Sequence, residues 1–600
     1  MAAADRLSAL PNDVLQRILS FAPTHEAAAT ALLSRRWRSV WRRTSFLNLD
    51  TRPYAEAERE QYYGTPTLEA FFDDAHDILA ALRRPTHGSR RRRHGAGLKR
   101  LTLFLEEEAY ISKSSWCREG DDAEPGDRVS QLLAEPAVAR LEELTIGCVQ
   151  GHRREHRYFP PLASLPFAAA LRVLELTYCN LEPPSTAPSP GLAFPCLAFP
   201  CLTDLTLRDC FFLEGYLQDM VDAAPALTSL TLRNVSQRAA NPPDSDERIK
   251  EPPYFMLPLR LRCPTVTALV LVTYADKKEI KASAAGGIGI ELDMPSLRFF
   301  RFNGYPVKLS LASPAPGLAR VELDVTHRHQ DGSCEIMNYE PPSRMIASFS
   351  STRALKMRLG CIEDIVADED EDAGIILPTF PNLKLLELDG EYKYMNSNTA
   401  VAMARLLRSC PVMSELRLRL AMRYNHWYGL KHKNHVGGTF GESMDRFERL
   451  ASKSSAVDLG GVSELPDALT NNDCEFCCLQ TCLRKVTLRF EANEVNCFPV
   501  QLAKFLVENA VVLEEMHVED GIQFWPDHLC YKVAGWRAES SRLKNLPDAA
   551  AGLRVCQLQL DKPGEGSNQD PDGPGRGGQR HLLVVALQHK AGLGDPSGCT

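Results

Sequence analysis

A six-residue pattern of apolar residues, Leu-x-x-Leu-x-Leu, recurs through most of this 600-residue chain. With other apolar residues accepted at the Leu positions, it occurs thirteen times, at spacings from 21 to 70 residues. The hexamers begin at Leu98, Leu141, Leu171, Leu202, Leu227, Val266, Leu297, Leu318, Ala354, Leu383, Met413, Leu483 and Leu513. Any amphipathic strand can produce one such hexamer, but a recurring period indicates a structural unit repeated along the chain.

Each hexamer predicts a short strand. Its fourth and sixth residues are expected to point into a core, while the third, fifth and seventh face the other way. Residues 401–407 and 501–507, upstream of two hexamers, have helical spacing. The chain is therefore predicted to be α/β, with an irregular leucine-rich-repeat solenoid, or horseshoe, that carries insertions where the spacing is long. The alternative is an ordinary α/β domain with leucine-rich strands.

Residues 5–50 follow a different pattern. Leu10-Pro11 precedes an apolar stripe that predicts an amphipathic helix, formed by Val14, Leu15, Ile18 and Leu19. Thr24 is expected to open a second helix that covers Ala27 to Leu33, and Ser34 to cap a third over Arg35 to Arg43. Three helices of this size bury too little surface to be very stable alone, so the module is expected to dock on something.

LPNDVLQRILSF followed by LLSRRWRSVWR resembles the F-box motif, and PTHEAAATALLSRRWRSVW is similar to its plant version. With the repeats, the chain resembles plant F-box proteins that carry leucine-rich repeats, and the region after about 470 resembles their FBD-type C-terminal part. In that family the F-box binds a Skp-type adaptor that leads to cullin and RING subunits. The repeats capture the protein to be ubiquitinated. The resemblance therefore implies a substrate-recognition adaptor of an SCF-type ubiquitin ligase.

The resemblance also implies which side chains meet the adaptor. The predicted Skp-contacting residues are Leu10, Pro11, Leu15, Ile18, Leu19, Leu33, Trp37 and Trp41. Burial of several of them, at about 1.5 to 3 kcal/mol each, would suffice for a stable interface. Some apolar residues of the module could instead only hold the three helices together, and Val14, Leu32 and Val40 are the candidates for that role.

The outward-facing strand positions are the expected substrate-binding surface, because the exposed strand face of a solenoid commonly binds partners. The predicted binding residues are Phe299, Arg301, Arg320, Arg417, Arg419, Lys485 and Arg489. Mixed charge with occasional aromatic residues suits a protein or peptide better than a polyanion. Alternatively, each of these side chains is simply part of a solvated sheet face.

Several other segments have more than one interpretation. Arg90 to Arg93 could form a nuclear import signal, a nucleic-acid contact or a solvated loop, and Asp368 to Asp372 predicts a disordered loop. The histidines at 426, 432 and 435 lack ligand partners at metal-binding spacing, so a surface loop is predicted rather than a metal site. The cluster Cys474, Cys477, Cys478 and Cys482 is predicted to contain ordinary buried thiols.

Composition narrows the remaining classes. A net charge of −8 disfavours a protein that coats nucleic acid, and the 18 scattered cysteines indicate reduced thiols. Neither a signal peptide nor an 18-residue apolar run is present, so we expect a nuclear or cytoplasmic protein outside the membrane. No catalytic motif occurs, and a non-catalytic subunit without cofactor or metal is expected. Its partners would be the adaptor with its cullin and RING subunits and an unknown protein substrate.

Two other functions remain open from the sequence: a repeat scaffold not linked to degradation, and an RNA-binding solenoid that uses Arg90 to Arg93. The predicted division of the chain is an F-box at 5–50, a linker and first helical cap at 51–97, the solenoid at 98–470, FBD-like repeats at 471–560 and a disordered tail at 561–600.

Overall fold

The structure of the chain is a computed structural model. The described residues are 10–41, 43–54, 68–83, 97–106, 128–149, 158–181, 197–238, 259–273, 289–304, 307–325, 342–366, 377–393, 398–423, 469, 476–490, 498–519, 533–540 and 554–556.

Within those ranges, fifteen strands form one open sheet in which each strand pairs in parallel with the strand of the next repeat. In sheet order they are β1 (Phe46–Asp50), β2 (Arg100–Leu105), β3 (Glu143–Cys148), β4 (Val173–Thr177), β5 (Asp204–Arg208), β7 (Ser229–Arg233), β10 (Ala268–Val272), β12 (Phe299–Asn303), β14 (Arg320–Val325), β15 (Ala354–Leu359), β16 (Leu385–Lys393), β17 (Glu415–Arg423), β18 (Lys485–Phe490), β19 (Glu515–Glu519) and β20 (Arg554–Cys556). This order confirms the repeats and the mixed α/β class.

The register of the sheet follows the hexamers. Leu174 pairs with Leu205, and Leu205 with Leu230, so that the fourth positions of successive repeats form one buried column. The sixth positions form a second, and the intervening residues lie on the other face, as predicted. One hexamer was placed wrongly: Arg320 aligns with Ala354, so that repeat begins at buried Thr352 rather than at Ala354. Because this repeat has a threonine rather than an apolar residue at its first position, the apolar pattern does not reveal where the repeat begins.

Two strands of the sheet were missed because their hexamers are degenerate. In the repeat of β1, buried Thr44 occupies the position of the first Leu. In the repeat of β20, the sequence has Gly552 at that position. Two smaller parallel sheets were not predicted either. They contain β6 (Phe211–Leu213) with β8 (Ser236–Arg238), and β9 (Leu259–Arg262), β11 (Gly289–Asp293) and β13 (Lys308–Leu311).

Helices and turns connect the strands. The α-helices are Asn12–Leu19, Thr24–Ala29, Arg35–Trp41, Leu68–Arg83, Arg128–Leu133, Tyr216–Asp222, Pro342–Ala347, Asn398–Ser409, Cys477–Thr481 and Phe498–Asn509, and residues 533–540 are also helical. Short 3-10 turns are Thr30–Leu32, Pro136–Val138, Leu162–Ser164, Ala168–Ala170 and Ile362–Ile365. The helical predictions for 401–407 and 501–507 are confirmed.

Two repeats carry a cysteine at the ninth position, where leucine-rich repeats place Asn or Cys. The Cys210 thiol lies 3.4 Å from the Leu176 carbonyl oxygen of the preceding repeat, and it satisfies a buried acceptor there. Hydrogen bonds with Cys148 and Cys210, together with burial, raise the pKa of the Cys179 thiol between them. The ten cysteines whose side chains the structure describes are free thiols.

A buried arginine stabilises the C-terminal repeats. The Arg537 guanidinium donates hydrogen bonds to the carbonyl oxygens of Val507 at 3.0 Å, Ala510 at 2.9 Å and Val511 at 2.9 Å. The Val507 carbonyl lies in the last turn of the Phe498–Asn509 helix, and those of Ala510 and Val511 lie just beyond it, so the arginine caps the C-terminal end of this helix. Burial lowers the pKa of Arg537.

The three N-terminal helices form a small core of their own, made of Leu15, Leu19, Ala27, Trp37 and Val40. Ser34 accepts a hydrogen bond from the Trp37 amide at 3.3 Å, as expected of a cap. The expectation for the second helix needs correction: it begins at Thr24, whose hydroxyl bonds to the sheet instead of capping its own helix.

That hydroxyl belongs to a polar junction between the N-terminal module and β1. Thr24 Oγ1 donates to the Asn48 carbonyl at 2.5 Å and accepts from the Asn48 amide at 2.9 Å. The Asn48 side chain in turn donates to the carbonyls of Ser20 at 2.8 Å and Ala22 at 3.0 Å. Trp41 packs against both the small core and the repeat core. The module is therefore attached to the first strand by hydrogen bonds and by packing.

We expect Asn48→Ala to loosen this junction, because it leaves the Ser20 and Ala22 carbonyls without their donor at a cost of about 1–3 kcal/mol. Hydrogen–deuterium exchange in residues 12–41 should become faster, while exchange in β4 and β5 stays unchanged. Asn303→Ala is the matched control, since Asn303 is a half-buried strand asparagine of the same sheet. Equal hydrogen–deuterium exchange of residues 12–41 in the Asn48→Ala and Asn303→Ala variants would contradict the role of Asn48.

Candidate binding surfaces

The structure divides the predicted adaptor-contacting residues into two groups. Leu15, Leu19 and Trp37 are buried in the N-terminal core, and Trp41 is half-buried between the two cores. Ile18 and Leu33 are exposed, with 42% and 70% of their surface accessible. Pro11 is exposed and Leu10 half-buried. Adaptor contact remains a prediction for all eight, but only Pro11, Ile18 and Leu33 are exposed.

Large apolar side chains are exposed mainly in this module. Eight are exposed within the described residues, and five of these lie between positions 10 and 41. We call them the F-box apolar surface: Val14, Ile18, Phe21, Leu32 and Leu33. Of the residues considered as internal packing, Val40 is buried as that interpretation requires, whereas Val14 and Leu32 are exposed. Such a concentration of exposed apolar side chains is typical of an interaction site.

The exposed charges near the F-box apolar surface in sequence are mainly basic. Arg17, Arg35, Arg38 and Arg43 are exposed in the same module, against the exposed acidic residues Asp13 and Glu26. Arg36 is held by a 2.9 Å hydrogen bond from its Nε to Asn12 and by a second to the Leu10 carbonyl. Exposed apolar residues in a module with an excess of exposed arginines favour a partner that combines an apolar groove with acidic residues.

The second candidate surface is the outward side of the sheet, which we call the strand face: the third, fifth and seventh positions of the repeats. All seven predicted substrate-binding residues lie on it. Sequence reasoning did not predict that their charges are matched between neighbouring strands. Arg301 on β12 donates to Glu322 on β14 at 2.7 Å, and Lys485 on β18 lies 2.8 Å from Glu515 on β19.

Carboxylates on this face are recessed and shared. Glu387, with 16% of its side chain exposed, faces Arg417 at 3.0 Å and both Arg320 and Lys356 at 3.8 Å. Each of these cations is more exposed than the carboxylate. The acids therefore restrain the cationic side chains, and the charged ends of the cations form the more exposed part of the strand face.

Titration of Glu322 is altered by the same arrangement. Burial disfavours its ionised form, but hydrogen bonds from Arg320 and Arg301 and their charges outweigh this and lower its pKa below the ordinary 4.5. Hydrogen bonds from Lys485 and His517 lower the pKa of Glu515 as well. Both groups are therefore ionised at neutral pH.

Several predicted features lie outside the described residues: Arg90 to Arg93, Asp368 to Asp372, the three histidines, Cys474 and the 561–600 tail. Of the remaining clustered cysteines, Cys478 is buried, and burial raises its pKa to about 12. The prediction was wrong for Cys477, which is exposed on the short helix before β18. The described residues contain no metal-ligand cluster, and none of their helices has the length and hydropathy to cross a bilayer.

Family models match two parts of the chain. The F-box domain model matches residues 7–49, and a model described as FBD-associated F-box protein At5g56370, LRR repeats, matches residues 129–241. The chain carries an F-box followed by leucine-rich repeats. The first match covers the three helices and most of β1, and the second covers β3 to β8.

Individual relatives agree with this assignment. The chain is similar to F-box protein At3g59000 of Arabidopsis thaliana, with 25% identity over 74% of this chain and 76% of the relative. It is 28% identical to F-box/LRR-repeat protein At3g58900 of the same plant over 41% of this chain and 64% of that protein. A shorter match, 38% identical over 12% of this chain and 15% of the relative, is to F-box/FBD/LRR-repeat protein At5g22660 of Arabidopsis thaliana.

We expect Glu322→Gln to destabilise the fold by about 1–2 kcal/mol at neutral pH, because Arg301 and Arg320 lose their shared anion. The pKa of Glu322 is lowered in the folded state, so its stabilising effect is present above the ordinary value of 4.5 and is lost as the pH falls below it. The difference in melting temperature between wild type and variant should therefore shrink towards about pH 3.

The control for this prediction is Glu142→Gln. Glu142 is more exposed and has one cationic partner, Lys99 at 2.9 Å, so its substitution should have little effect at either pH. If the difference in melting temperature between wild type and Glu322→Gln stayed constant from neutral to acidic pH, the ion pairs would not be its cause.

Proposed function

We propose that this protein is a substrate-recognition adaptor of an SCF-type ubiquitin ligase. In this function the F-box binds a Skp-type adaptor, through which cullin and RING subunits join, and the repeats capture the protein to be ubiquitinated. The observation that carries the proposal is an F-box whose exposed apolar side chains are grouped at one end of a repeat sheet with a charged, solvent-facing surface.

Side-chain exposure supports a narrower choice of adaptor-contacting residues within this proposal. The F-box apolar surface and Pro11 are accessible, so they would make the contacts. Leu15, Leu19 and Trp37 would instead act indirectly, because they are buried in the core of the module. They fix the position of the first helix, which exposes Val14 and Ile18. The adaptor would supply an apolar groove with acidic residues at its border.

The strand face would bind the substrate, and curvature of the sheet into a horseshoe is part of this proposal. The protein itself would be non-catalytic, with ubiquitin transferred by partner subunits, and it would act in the nucleus or the cytoplasm. A scaffold that binds partners without promoting their degradation is the alternative. The F-box favours the ligase adaptor over the scaffold, because a scaffold does not require the exposed apolar residues of that module.

The adaptor interaction is tested with Ile18→Asp combined with Leu33→Asp. Both side chains are exposed, so the double variant should fold while its binding to a purified Skp-type adaptor falls by about tenfold or more. Phe159→Asp combined with Val412→Asp is the matched control, since these are exposed apolar residues of the repeats. Equal binding by wild type and the F-box variant would refute this interface.

Degradation is tested separately from binding. In cells that express the protein with a proximity label, proteins captured by the repeats should accumulate on proteasome inhibition. They should also accumulate when the Ile18→Asp, Leu33→Asp variant replaces the wild type. Captured partners whose abundance and ubiquitination do not change would support the scaffold instead.

A further inference from the structure

The seventh position of each repeat forms one row across the strand face, because the strands are in register. From β14 to β19 this row reads Asp324, Arg358, Asp389, Arg419, Arg489 and Glu519. Opposite charges alternate until β17 and β18, where Arg419 and Arg489 lie directly side by side. Neighbouring strands are about 4.8 Å apart, so two adjacent like charges repel each other unless an anion lies near both.

The carboxylates of the row compensate this pair only partly. Arg419, with 69% of its side chain exposed, has one ion-pair contact, to Asp389 at 3.8 Å. Asp389 is also shared with Arg358 at 3.8 Å. Arg489 is paired at 2.7 Å with Glu519 on its far side, which leaves the side towards Arg419 without a carboxylate of the described residues. Since a guanidinium has five N–H donors, both arginines retain donors for a further anion.

The same row contains a second pair of adjacent arginines. Arg208 on β5 lies in register with Arg233 on β7. Arg208 is paired with Glu175 at 2.9 Å, but its Nε is buried and has no hydrogen-bond partner among the described residues. Arg233 is exposed, and no ion pair to it is found in the described part of the chain. Two arginines therefore lie side by side at two places in this row.

We propose that these two arginine pairs, Arg208 with Arg233 and Arg419 with Arg489, bind carboxylate side chains of an acidic segment in the captured protein. A carboxylate between two guanidiniums accepts bidentate, charge-assisted hydrogen bonds and removes the repulsion between them. The inference rests on the proposed function in one respect: it takes the protein that binds the strand face to be the ubiquitination substrate.

A polyanion fits this surface less well than a peptide. Between the two pairs the strand face carries the recessed acids Glu322, Asp324, Glu387 and Asp389. These acids neutralise the neighbouring Arg301, Arg320, Lys356 and Arg358, so a continuous phosphate backbone crossing the sheet would meet no net positive charge between the two pairs. An extended peptide can instead place acidic residues at the two arginine pairs and neutral residues between them.

The proposal is tested by fluorescence anisotropy with the full chain and a fluorescein-labelled peptide that alternates Glu and Ser. We expect binding that weakens with rising salt. Arg419→Ala with Arg489→Ala, and separately Arg208→Ala with Arg233→Ala, should each weaken it by about fivefold or more. Arg260→Ala with Arg262→Ala is the matched control: these residues are 80% exposed and paired with acids, but they lie on the smaller sheet. It should change affinity by less than about twofold.

Three outcomes would overturn the proposal: no binding of the acidic peptide, an equal loss in the Arg260 and Arg262 control, or tighter binding of a single-stranded RNA or a phosphoserine peptide than of the Glu-Ser peptide. Binding to the Skp-type adaptor is measured for the same variants and should be unchanged. If the arginine-pair variants lose peptide binding but still bind the adaptor, the result supports the strand-face site. Failure of the wild type to bind the adaptor would instead count against the proposed function and leave the peptide result independent.

Discussion

Parallel pairing in register is the constraint on which the rest of this structure depends. Each strand of the sheet is short and obtains its hydrogen-bond partners from the strands of the repeats before and after it. Pairing in register brings Leu174, Leu205 and Leu230 into one buried column, and a slip by one residue would turn all of them to the solvent. The same register aligns the residues of the opposite face in rows. The core and the binding surface are therefore set by one geometric rule.

The exposed face shows how a parallel sheet can remain open on one side. Parallel sheets are commonly covered on both faces, and here one face is occupied by charged side chains that neutralise each other across the strands. Glu322 lies between two arginines, and Glu387 contacts three cations. Any single exposed pair stabilises a fold only slightly, but a shared carboxylate restrains several side chains at once. Ordered side chains of this kind are suited to binding, because less conformational entropy remains to be lost.

The sequence predicts this architecture where the repeat consensus is strong and fails where a residue of the consensus is replaced. Twelve hexamers have the right phase, whereas Thr352 and Thr44 stand where Leu is expected, so one start was misplaced and β1 was missed. In the F-box, periodicity identified the stripe of Val14, Leu15, Ile18 and Leu19, yet it could not say which of these face the core. That depends on where the third helix packs, which is a tertiary contact. The charge rows were equally inaccessible, since they require the register between strands that are 21 to 70 residues apart.

The missed strand β1 bears on function, because it is the point where the F-box and the repeats meet. Asn48 belongs to the first repeat strand, and its side chain and backbone hold the turn between the first two F-box helices. Trp41 adds an apolar contact to both cores. In the proposed function, ubiquitin transfer to a bound protein requires a defined spacing between the adaptor and the substrate surface. A flexible linker would sample many spacings, whereas a junction built from buried polar contacts and a shared tryptophan restricts them. The F-box of this chain is consequently better described as the first layer of the repeat sheet than as a module joined to it by a tether.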